Sequence, residues 1–343
     1  MPPLVDAIVN SDTLSETSKT HYLEKLATLS KLVGSSVDHI IEHPNQVIPI
    51  IRRRYQCPLT QRAFVAAIKA VFHHNPRLKD KLPKQWETYT EYQNELSQTV
   101  NARYMAAEPS EKERRNWVPW DEVLDKEREL ALTEYGSYDH LLLAMYCLIE
   151  PLRQDYGALR VLVDKMPPEG AKGNYLVIAQ DGSWGKLVLN RYKTAKKYGR
   201  YERPLPLNLL AIIKANLIAQ PRAYLFVDES GEPYRKTNSF TQFSNRTLKR
   251  LFGKNFTVSL MRHSHISNID FNASTPGDLF AKSKNMAHSI SMQQLYRRKV
   301  EPMPPLTVVK DPTTMVAPPP PPLQPRDGLV VDPNGQRFLR LSV

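Results

Sequence analysis

The chain has 343 residues, and its 47 Lys and Arg outnumber its 35 Asp and Glu, for a formal net charge of +12. That length suffices for two domains, which commonly hold about 100–200 residues each. The cationic excess indicates a polyanionic partner, most simply nucleic acid, with a merely basic protein as the alternative. Only 2 cysteines occur, no apolar stretch approaches the ~18 residues of a membrane span, and the N-terminus lacks signal-peptide character. These features argue against a disulfide framework and against membrane association, and they predict an intracellular protein.

The first hundred residues carry apolar side chains at helical spacing. Ser15–Leu32 has an apolar face and a glycine stop, and Thr60–Phe72 repeats that period. Pro83–Met105 is a long polar helix with interspersed aromatic residues. A bundle of about four helices is therefore predicted over residues 1–107. The triplet Arg52–Arg54 cannot share one helix face, and it is either a solvated surface or a phosphate contact.

Residues 108–116 are charged, polar and interrupted by proline, which predicts a linker. From Trp117 the pattern alternates between helices and strands, so a mixed α/β domain is predicted over residues 117–300. The overall class is therefore multidomain, α followed by α+β. Strands are predicted at Tyr175–Ala179, Lys186–Tyr192 and Tyr201–Leu205, and helices at Leu141–Leu148, Leu207–Ile218, Ser239–Phe252, Val258–Phe271 and Ser291–Arg298.

Residues 301–343 differ from the rest because proline is frequent, including the run Pro318–Pro322. Proline fixes the backbone and cannot continue a helix, so an extended tail is predicted. The tail either has no binding role or docks on a neighbouring protomer or another protein. Leu329–Val331 and Phe338–Leu339 supply apolar side chains for such docking.

Five separated residues stand in an order that suits chemistry on a phosphodiester. Two arginines can hold a phosphate whose negative charge grows on its equatorial oxygens during attack. A tyrosine phenol is a nucleophile, a lysine in a turn can protonate the leaving 5′-oxygen, and a histidine can hydrogen-bond the phosphate. In chain order, the candidate catalytic residues are Arg153, Lys193, Arg262, His288 and Tyr296.

Each candidate also has a simpler interpretation. Arg153 can be a cation at the C-terminal end of an apolar helix, where the helix dipole favours one. Lys193 can belong to a DNA-backbone patch, with Lys196 the second choice for the turn lysine, and His288 can be a surface histidine. No metal or other cofactor is predicted, since the chain has no Cys-x-x-Cys and no His-Glu-x-x-His motif. The cations expected to contact DNA are Arg191, Lys196, Lys197, Arg200, Arg297 and Arg298.

The order of these residues resembles that of the tyrosine recombinases, the phage-type integrases. That family has an arginine in a Gly-Leu-Arg helix, a lysine in a β-hairpin, a His-x-x-Arg-His box, a Gly-His-Ser box and then a tyrosine. Ser259 stands where the family has the first histidine of its His-x-x-Arg-His box, and the interval from the last histidine to the tyrosine is slightly shorter. The matching runs are Leu152-Arg153, Tyr192-Lys193-Thr194, Met261-Arg262-His263-Ser264, Ala287-His288-Ser289 and Tyr296.

The resemblance implies a helical core-binding domain joined to a mixed α/β catalytic domain, which together clamp double-stranded DNA. It implies cutting and rejoining of DNA through a 3′-phosphotyrosyl link, without metal or ATP, in the integration or excision of a mobile or viral element. Arg153 and Arg262 would hold the phosphate, with assistance from His288. Lys193 would protonate the leaving oxygen. A synapsed homotetramer is the form of the protein that such recombination implies.

Two other activities fit the same residues. A type IB topoisomerase uses the same covalent chemistry, but it relaxes DNA as a monomer and joins no new partners. A catalytically inactive DNA-binding relative is the second alternative, suggested by Ser259, which is a possible catalytic residue but a poor base. An inactive protein forms no covalent adduct with a nicked substrate, and strand exchange separates a recombinase from a topoisomerase.

Overall fold

The computed structural model describes residues 3–300, 328–331 and 337–340. The chain divides into two compact units, Met1–Ala106 and Ala107–Val343. The first is helical and the second combines helices with a four-stranded sheet, in agreement with a multidomain α and α+β class. Within the described ranges, no helix has both the length and the apolar character needed to cross a membrane.

Capping side chains and prolines set the helix boundaries of the first unit. At the start of the helix Glu16–Val33, the Ser15 hydroxyl accepts a hydrogen bond from Ser18 N at 3.2 Å, and Gly34, with a φ of +71°, follows its end. The predicted helix Pro83–Met105 has the same ends in the structure, with proline at its first position. The helices are α1 (Pro3–Val9), α2 (Glu16–Val33), α3 (Val37–Glu42), α4 (Pro44–Arg54), α5 (Pro58–His74), α6 (Pro76–Lys81) and α7 (Pro83–Met105).

Helix α5 packs against both α2 and α7 and supplies the centre of the first core. Phe64, Ile68 and Val71 are almost fully buried, as their helical spacing predicts. The aromatic residues of α7 complete this core, where Tyr92 Oη donates to Gln61 Oε1 at 2.6 Å and so keeps its hydroxyl satisfied. Short helices such as α3 and α6 are additional to the predicted bundle, because so few residues cannot show a helical period.

The second unit begins with a short helix where a linker was expected. Residues Glu111–Arg115 form α8, and Ser110 Oγ accepts from Glu113 N while the Glu113 carboxylate accepts from Ser110 N at 2.6 Å. That reciprocal capping box stabilises a helix in a segment whose charge alone suggested a linker. The other helices are α9 (Trp120–Thr133), α10 (Tyr138–Cys147), α11 (Ala195–Tyr198), α12 (Leu207–Ala219), α13 (Thr237–Phe252), α14 (Val258–Ser267), α15 (Pro276–Asn285) and α16 (Ile290–Tyr296).

A four-stranded sheet lies within the second unit. Its strands, in spatial order, are β1 (Leu159–Val163), β2 (Asn174–Ile178), β3 (Gly185–Leu189) and β4 (Tyr201–Pro204). The β1–β2 pair is parallel and the other two pairs are antiparallel, with Val177 opposite Lys186 and Val188 opposite Glu202. Strands β2, β3 and β4 correspond to the three predicted ones. β1 was not predicted, because its short run shows no clear alternation of apolar and polar residues.

Helix α10 supplies much of the second core, and its end places the first candidate arginine. All residues from Leu141 to Tyr146 are buried. The helix ends at Cys147, before the Glu150–Pro151 bond, since a residue preceding proline disfavours the helical region. Arg153 therefore does not cap this helix, and its interpretation as a helix C-terminal cation is wrong. It lies in an irregular segment that leads into β1.

The Pro-rich tail predicted for residues 301–343 falls mostly outside the described residues. Two described stretches within it are strands, β5 (Gly328–Val331) and β6 (Arg337–Arg340), which pair antiparallel with Val330 opposite Phe338. The two apolar runs that suggested docking therefore pair with each other along their backbones.

A glycine between α10 and β1 has no room for a side chain. A Cβ at Gly157 would lie 2.8 Å from Phe240 Cβ and 2.9 Å from the backbone oxygen of Tyr234. Gly157→Ala should therefore lower the free energy of unfolding by about 1–3 kcal/mol. Gly277→Ala is the matched control, because its Cβ would meet only Thr275 Oγ1, at 3.7 Å. Thermal unfolding followed by circular dichroism compares the two, and equal midpoints would contradict this account of the packing.

Candidate active site

Arg262 lies at the centre of the candidate site. It comes from α14, which begins where Thr257 Oγ1 accepts a hydrogen bond from the helix backbone, and it is only 1% exposed. One terminal nitrogen donates to the backbone oxygen of Pro151, and the other lies 3.3 Å from His288 Nδ1. Its guanidinium carbon is 5.2 Å from the centroid of the Tyr296 ring. The structure therefore brings one buried cation into contact with two other candidates.

Arg153 approaches the same tyrosine from the segment after α10. Its Nη1 donates to the backbone oxygen of Ala287 at 3.2 Å, and its own backbone oxygen accepts from the buried Tyr146 hydroxyl at 2.9 Å. The charges of Arg262 and Arg153 both act on the phenol of Tyr296. Three of the five candidates therefore meet at one phenol.

Tyr296 is the last residue of α16, which begins at the N-cap Ser289. Its ring is stacked on the His263 ring, with centroids 4.5 Å apart, and meets the His288 ring edge-on at 5.6 Å. Burial acts to raise the pKa of Tyr296, but the charges of Arg262 and Arg153 and their hydrogen bonds outweigh it, so the pKa is lowered. The phenol is therefore easier to deprotonate than an ordinary tyrosine.

His288 is a neutral hydrogen-bonding group in this site. Burial, with the charges of Arg262 and Arg153, lowers its pKa to about 3. Since a guanidinium can only donate, Nδ1 of His288 must accept from Arg262, and the ring proton then resides on Nε2. Nε2 is buried and has no hydrogen-bond partner among the described residues. It is a donor without a partner in the described ranges, and because His288 is only 4% exposed, its interpretation as a surface histidine is wrong.

The turn that carries Lys193 contacts the site through the side chain of the next residue, Thr194. Thr194 Oγ1 donates to the backbone oxygen of Ala287 at 3.0 Å, the same oxygen that Arg153 contacts. The Lys193 side chain itself is exposed, and nothing in the described part of the chain holds it. The turn also contains the single-turn helix α11, which carries Lys196. The turn is therefore linked to the clamp through Thr194, while the Lys193 side chain is exposed.

Ser259 lies on the first turn of α14 and is exposed. Within residues 3–300 its hydroxyl forms no hydrogen bond. His265, further along the same helix, is packed edge-on against Trp120 at 4.7 Å, and burial lowers its pKa to about 4. Ser259 therefore presents an open hydroxyl, whereas His265 belongs to the packing around the site.

The stacking partner of the tyrosine, His263, was not among the predicted catalytic residues. Its Nδ1 is 2.6 Å from the backbone oxygen of Tyr296, and burial, followed by the charge of Arg298, lowers its pKa to about 4. A neutral ring carrying its proton on Nδ1 can donate to that oxygen while supporting the phenol ring. The sequence signal for His263 is its position directly after Arg262, but adjacent residues on a helix normally point in different directions.

Arg298 does not have the predicted role of a DNA contact. It is 4% exposed, and its Nε and Nη2 lie 3.2 and 3.0 Å from Glu113 Oε1. Its backbone N donates to Ser267 Oγ at 2.8 Å. Next to it, Lys299 N donates to the backbone oxygen of Ala107 at 2.7 Å. The chain just beyond the tyrosine is therefore anchored to the beginning of the second unit.

The other predicted DNA contacts are on the surface of the second unit. Arg200 forms an ion pair with Glu202 at 2.6 Å. The guanidinium carbon of Arg297 lies 5.0 Å from the centroid of the Phe271 ring. Whether these cations touch DNA stays a prediction. The exposed members are Arg191, Lys196, Lys197, Arg200 and Arg297.

The site has the electrostatic character of an anion clamp beside a nucleophile. Two guanidinium groups converge on one phenol, and no carboxylate in the described ranges forms an ion pair with Arg153 or Arg262. The Arg262 Nε lacks a partner there as well. Burial raises the pKa of the nearby Asp155 despite the charges of Arg153 and Arg262. An anionic group entering this site would find unused donors and a polarised phenol.

No protein-family model and no curated protein matches the chain. Among solved structures, it is similar to one described as "Crystal structure of XerA recombinase", at 12% sequence identity and a TM-score of 0.36. That match covers 85% of this chain and 92% of the other. The likeness is weak, and the proposed function rests on the chemistry of the site.

The lowered pKa of Tyr296 can be measured directly. The ultraviolet titration of the protein minus that of Tyr296→Phe should show one phenol that ionises below the ordinary tyrosine pKa of about 10. Arg153→Gln removes a positive charge that favours the phenolate, so it should move this step to higher pH. Arg128→Gln, which removes an exposed arginine paired with Asp125, is the matched control and should leave the step in place. A step that is unchanged in Arg153→Gln would show that the two arginines do not control this phenol.

Proposed function

We propose that this chain is a site-specific DNA recombinase that cuts and rejoins duplex DNA through Tyr296. The observation that carries the proposal is the meeting of one phenol with two guanidinium groups, those of Arg262 and Arg153, which lower its pKa. Phosphoryl transfer to a phenol requires a nucleophile and a preorganised clamp for the anion in one place.

In the proposed reaction, the Tyr296 oxygen attacks the phosphorus of one backbone phosphate. A bond forms between that oxygen and phosphorus, and the bond from phosphorus to the 5′-oxygen breaks. The phenol proton passes to water, which the lowered pKa favours, and the exposed Lys193 supplies the proton that the leaving 5′-oxygen needs. A 5′-hydroxyl from a second DNA end then attacks the phosphotyrosine and releases Tyr296. Because each step replaces one phosphate ester by another, no external energy source is needed.

The remaining residues have supporting roles in this proposal. Arg153 and Arg262 hold the phosphate oxygens, and His288 Nε2, which lacks a partner in the described ranges, donates to one of them. The open Ser259 hydroxyl can donate to the same phosphate, but it cannot act as a base near neutral pH. His263 supports the tyrosine ring and does not transfer protons.

We assign residues 1–107 to DNA binding and residues 117–300 to catalysis. The net charge of +12 supports double-stranded DNA as the partner. So do the exposed cations Arg191, Lys196 and Lys197 on the second unit. Recombination between two duplexes cuts each strand with a separate tyrosine, so we propose that a homotetramer assembles on DNA.

Ser259 favours one alternative, a relative that binds DNA without cutting it. The chain would then keep the arginine clamp as a phosphate-binding site and lack a base for the phenol. The lowered pKa of Tyr296 supports the active form, because a phenol that ionises more readily has less need of a base.

Replacement of the nucleophile tests the proposal. Tyr296→Phe keeps the ring stacked on His263 but removes the attacking oxygen, so it should bind duplex DNA normally and form no covalent adduct. A nicked suicide substrate traps the adduct, which gel electrophoresis detects. Tyr135→Phe is the control, since Tyr135 is an exposed tyrosine of the same unit. An adduct at the wild-type level in Tyr296→Phe would assign the nucleophile to another residue, and no adduct in the wild type would favour the inactive relative.

Replacement of the clamp tests the roles of the arginines. Arg153→Ala should slow adduct formation by about a hundredfold or more, because the transition state loses a donor that contributes about 3–4 kcal/mol. Arg262 is buried, so Arg262→Lys is the safer change, and it should slow the reaction similarly by losing the planar fork. DNA affinity should fall much less in both variants. Equal losses of affinity and rate would make these arginines ordinary phosphate contacts, and Arg128→Ala should change neither.

A further inference from the structure

Three basic side chains surround one tryptophan in the first unit. Lys69 Nζ and Lys79 Nζ lie 4.5 and 4.3 Å from the centroid of the Trp86 ring, and the His73 ring meets the indole edge-on at 5.1 Å. Lys69 and His73 come from α5, Lys79 from α6 and Trp86 from α7. This set, which we name the indole cluster, therefore depends on the packing of three helices.

The indole cluster concentrates positive charge. Lys79 Nζ is 3.3 Å from His73 Nδ1. Burial, followed by the charge of Lys79, lowers the pKa of Lys69. Burial, followed by the charges of Lys79, Lys69 and His74, lowers the pKa of His73. Every charged neighbour that acts on these two groups is basic, so Lys69 and Lys79 repel each other and both disfavour the protonated form of His73.

Nearby carboxylates do not neutralise the indole cluster. Asp80 and Glu87 belong to the same stretch of chain, but both are exposed, and in residues 3–300 neither forms an ion pair. Other cations of the first unit do find partners, as Lys19 does with Glu16 at 2.9 Å. The indole cluster is thus an ordered group of cations that lacks an anion.

We propose that the indole cluster binds a phosphate of the DNA backbone. Cation–π contact with Trp86 holds the ammonium groups of Lys69 and Lys79 in place, so that less side-chain freedom is lost on binding. The two ammonium groups and a protonated His73 can donate to the phosphate oxygens. The bound anion offsets the mutual repulsion of the cations, and His73 then takes up a proton. The choice of DNA as the source of the phosphate rests on the proposed function.

Salt dependence of DNA binding measures the contact. Each phosphate contact that is lost should reduce the slope of log affinity against log salt by about 0.9. Lys79→Gln should therefore bind a duplex several-fold more weakly than the wild type, with a shallower slope, whereas Lys79→Arg should retain both. Lys25→Gln is the matched control, because Lys25 lies over the Phe64 ring at 4.8 Å and is not part of the cluster. Equal slopes for Lys79→Gln and Lys25→Gln would overturn the proposal.

The titration of His73, followed by NMR of the full chain, identifies the anion. A short duplex should raise the pKa of His73 in the wild type and have a much smaller effect in Lys79→Gln. Inorganic phosphate should produce the same change at higher concentration. A duplex that leaves the pKa of His73 unchanged would overturn the proposal. So would a poly-glutamate peptide that raises it when the duplex does not, since the surface would then serve an acidic protein.

The adduct assay separates failure of this inference from failure of the proposed function. Lys25→Gln should form the Tyr296 adduct at the wild-type rate, because Lys25 belongs neither to the indole cluster nor to the candidate site, whereas Lys79→Gln should form it more slowly when DNA is limiting. Adduct formation in the wild type, with the salt slope of Lys79→Gln unchanged, would refute the phosphate site alone. A reduced salt slope in Lys79→Gln and a raised pKa of His73, without any adduct in the wild type, would refute the recombinase and retain the phosphate site.

Discussion

The burial of one guanidinium is the constraint on which the rest of the candidate site depends. A cation removed from water must be compensated by hydrogen bonds and by favourable charge contacts. Arg262 obtains these from the backbone oxygen of Pro151, from His288 and from the face of Tyr296. Its partners come from three separate parts of the second unit, so the need to satisfy one charge holds those parts together. Burial and then the charge of Arg262 lower the pKa of His288, and the charge of Arg262 helps to lower the pKa of Tyr296 against the effect of burial.

One residue in a strained backbone conformation, Ala287, contacts Arg153 of the clamp. Ala287 has a φ of +52°, in the left-handed region that residues with a Cβ seldom adopt. In this conformation its backbone oxygen accepts hydrogen bonds from the side chains of Arg153 and Thr194. Strain of this kind costs about 1–3 kcal/mol and persists where the surroundings determine it. Here the Ala287 backbone oxygen links the turn of Lys193 to Arg153 of the clamp.

The basic residues of this chain are of three kinds, which differ in burial. Arg298 is buried and paired with Glu113, whereas the buried Arg262 keeps its Nε without a partner in the described ranges. Lys193 and the cations around it are exposed and available to an external anion. Lys69 and Lys79 lie between these cases, since they are half-buried and ordered by Trp86 but have no carboxylate partner within residues 3–300. An excess of positive charge in composition conceals these three different roles.

The sequence by itself determined the features that depend on neighbouring residues. The helix Pro83–Met105 and strands β2, β3 and β4 were predicted from apolar period and from proline, and the order of Arg153, Arg262 and Tyr296 suggested the proposed chemistry. Tertiary structure alone decided strand β1, the helix α8 in place of a linker, the stacking of His263 on Tyr296 and the buried state of Arg298. Glu113 and Arg298 are 185 residues apart in the chain, and no local pattern reports a contact at that separation. Burial of a charge is decided by which distant partner reaches it, and only the folded chain specifies that partner.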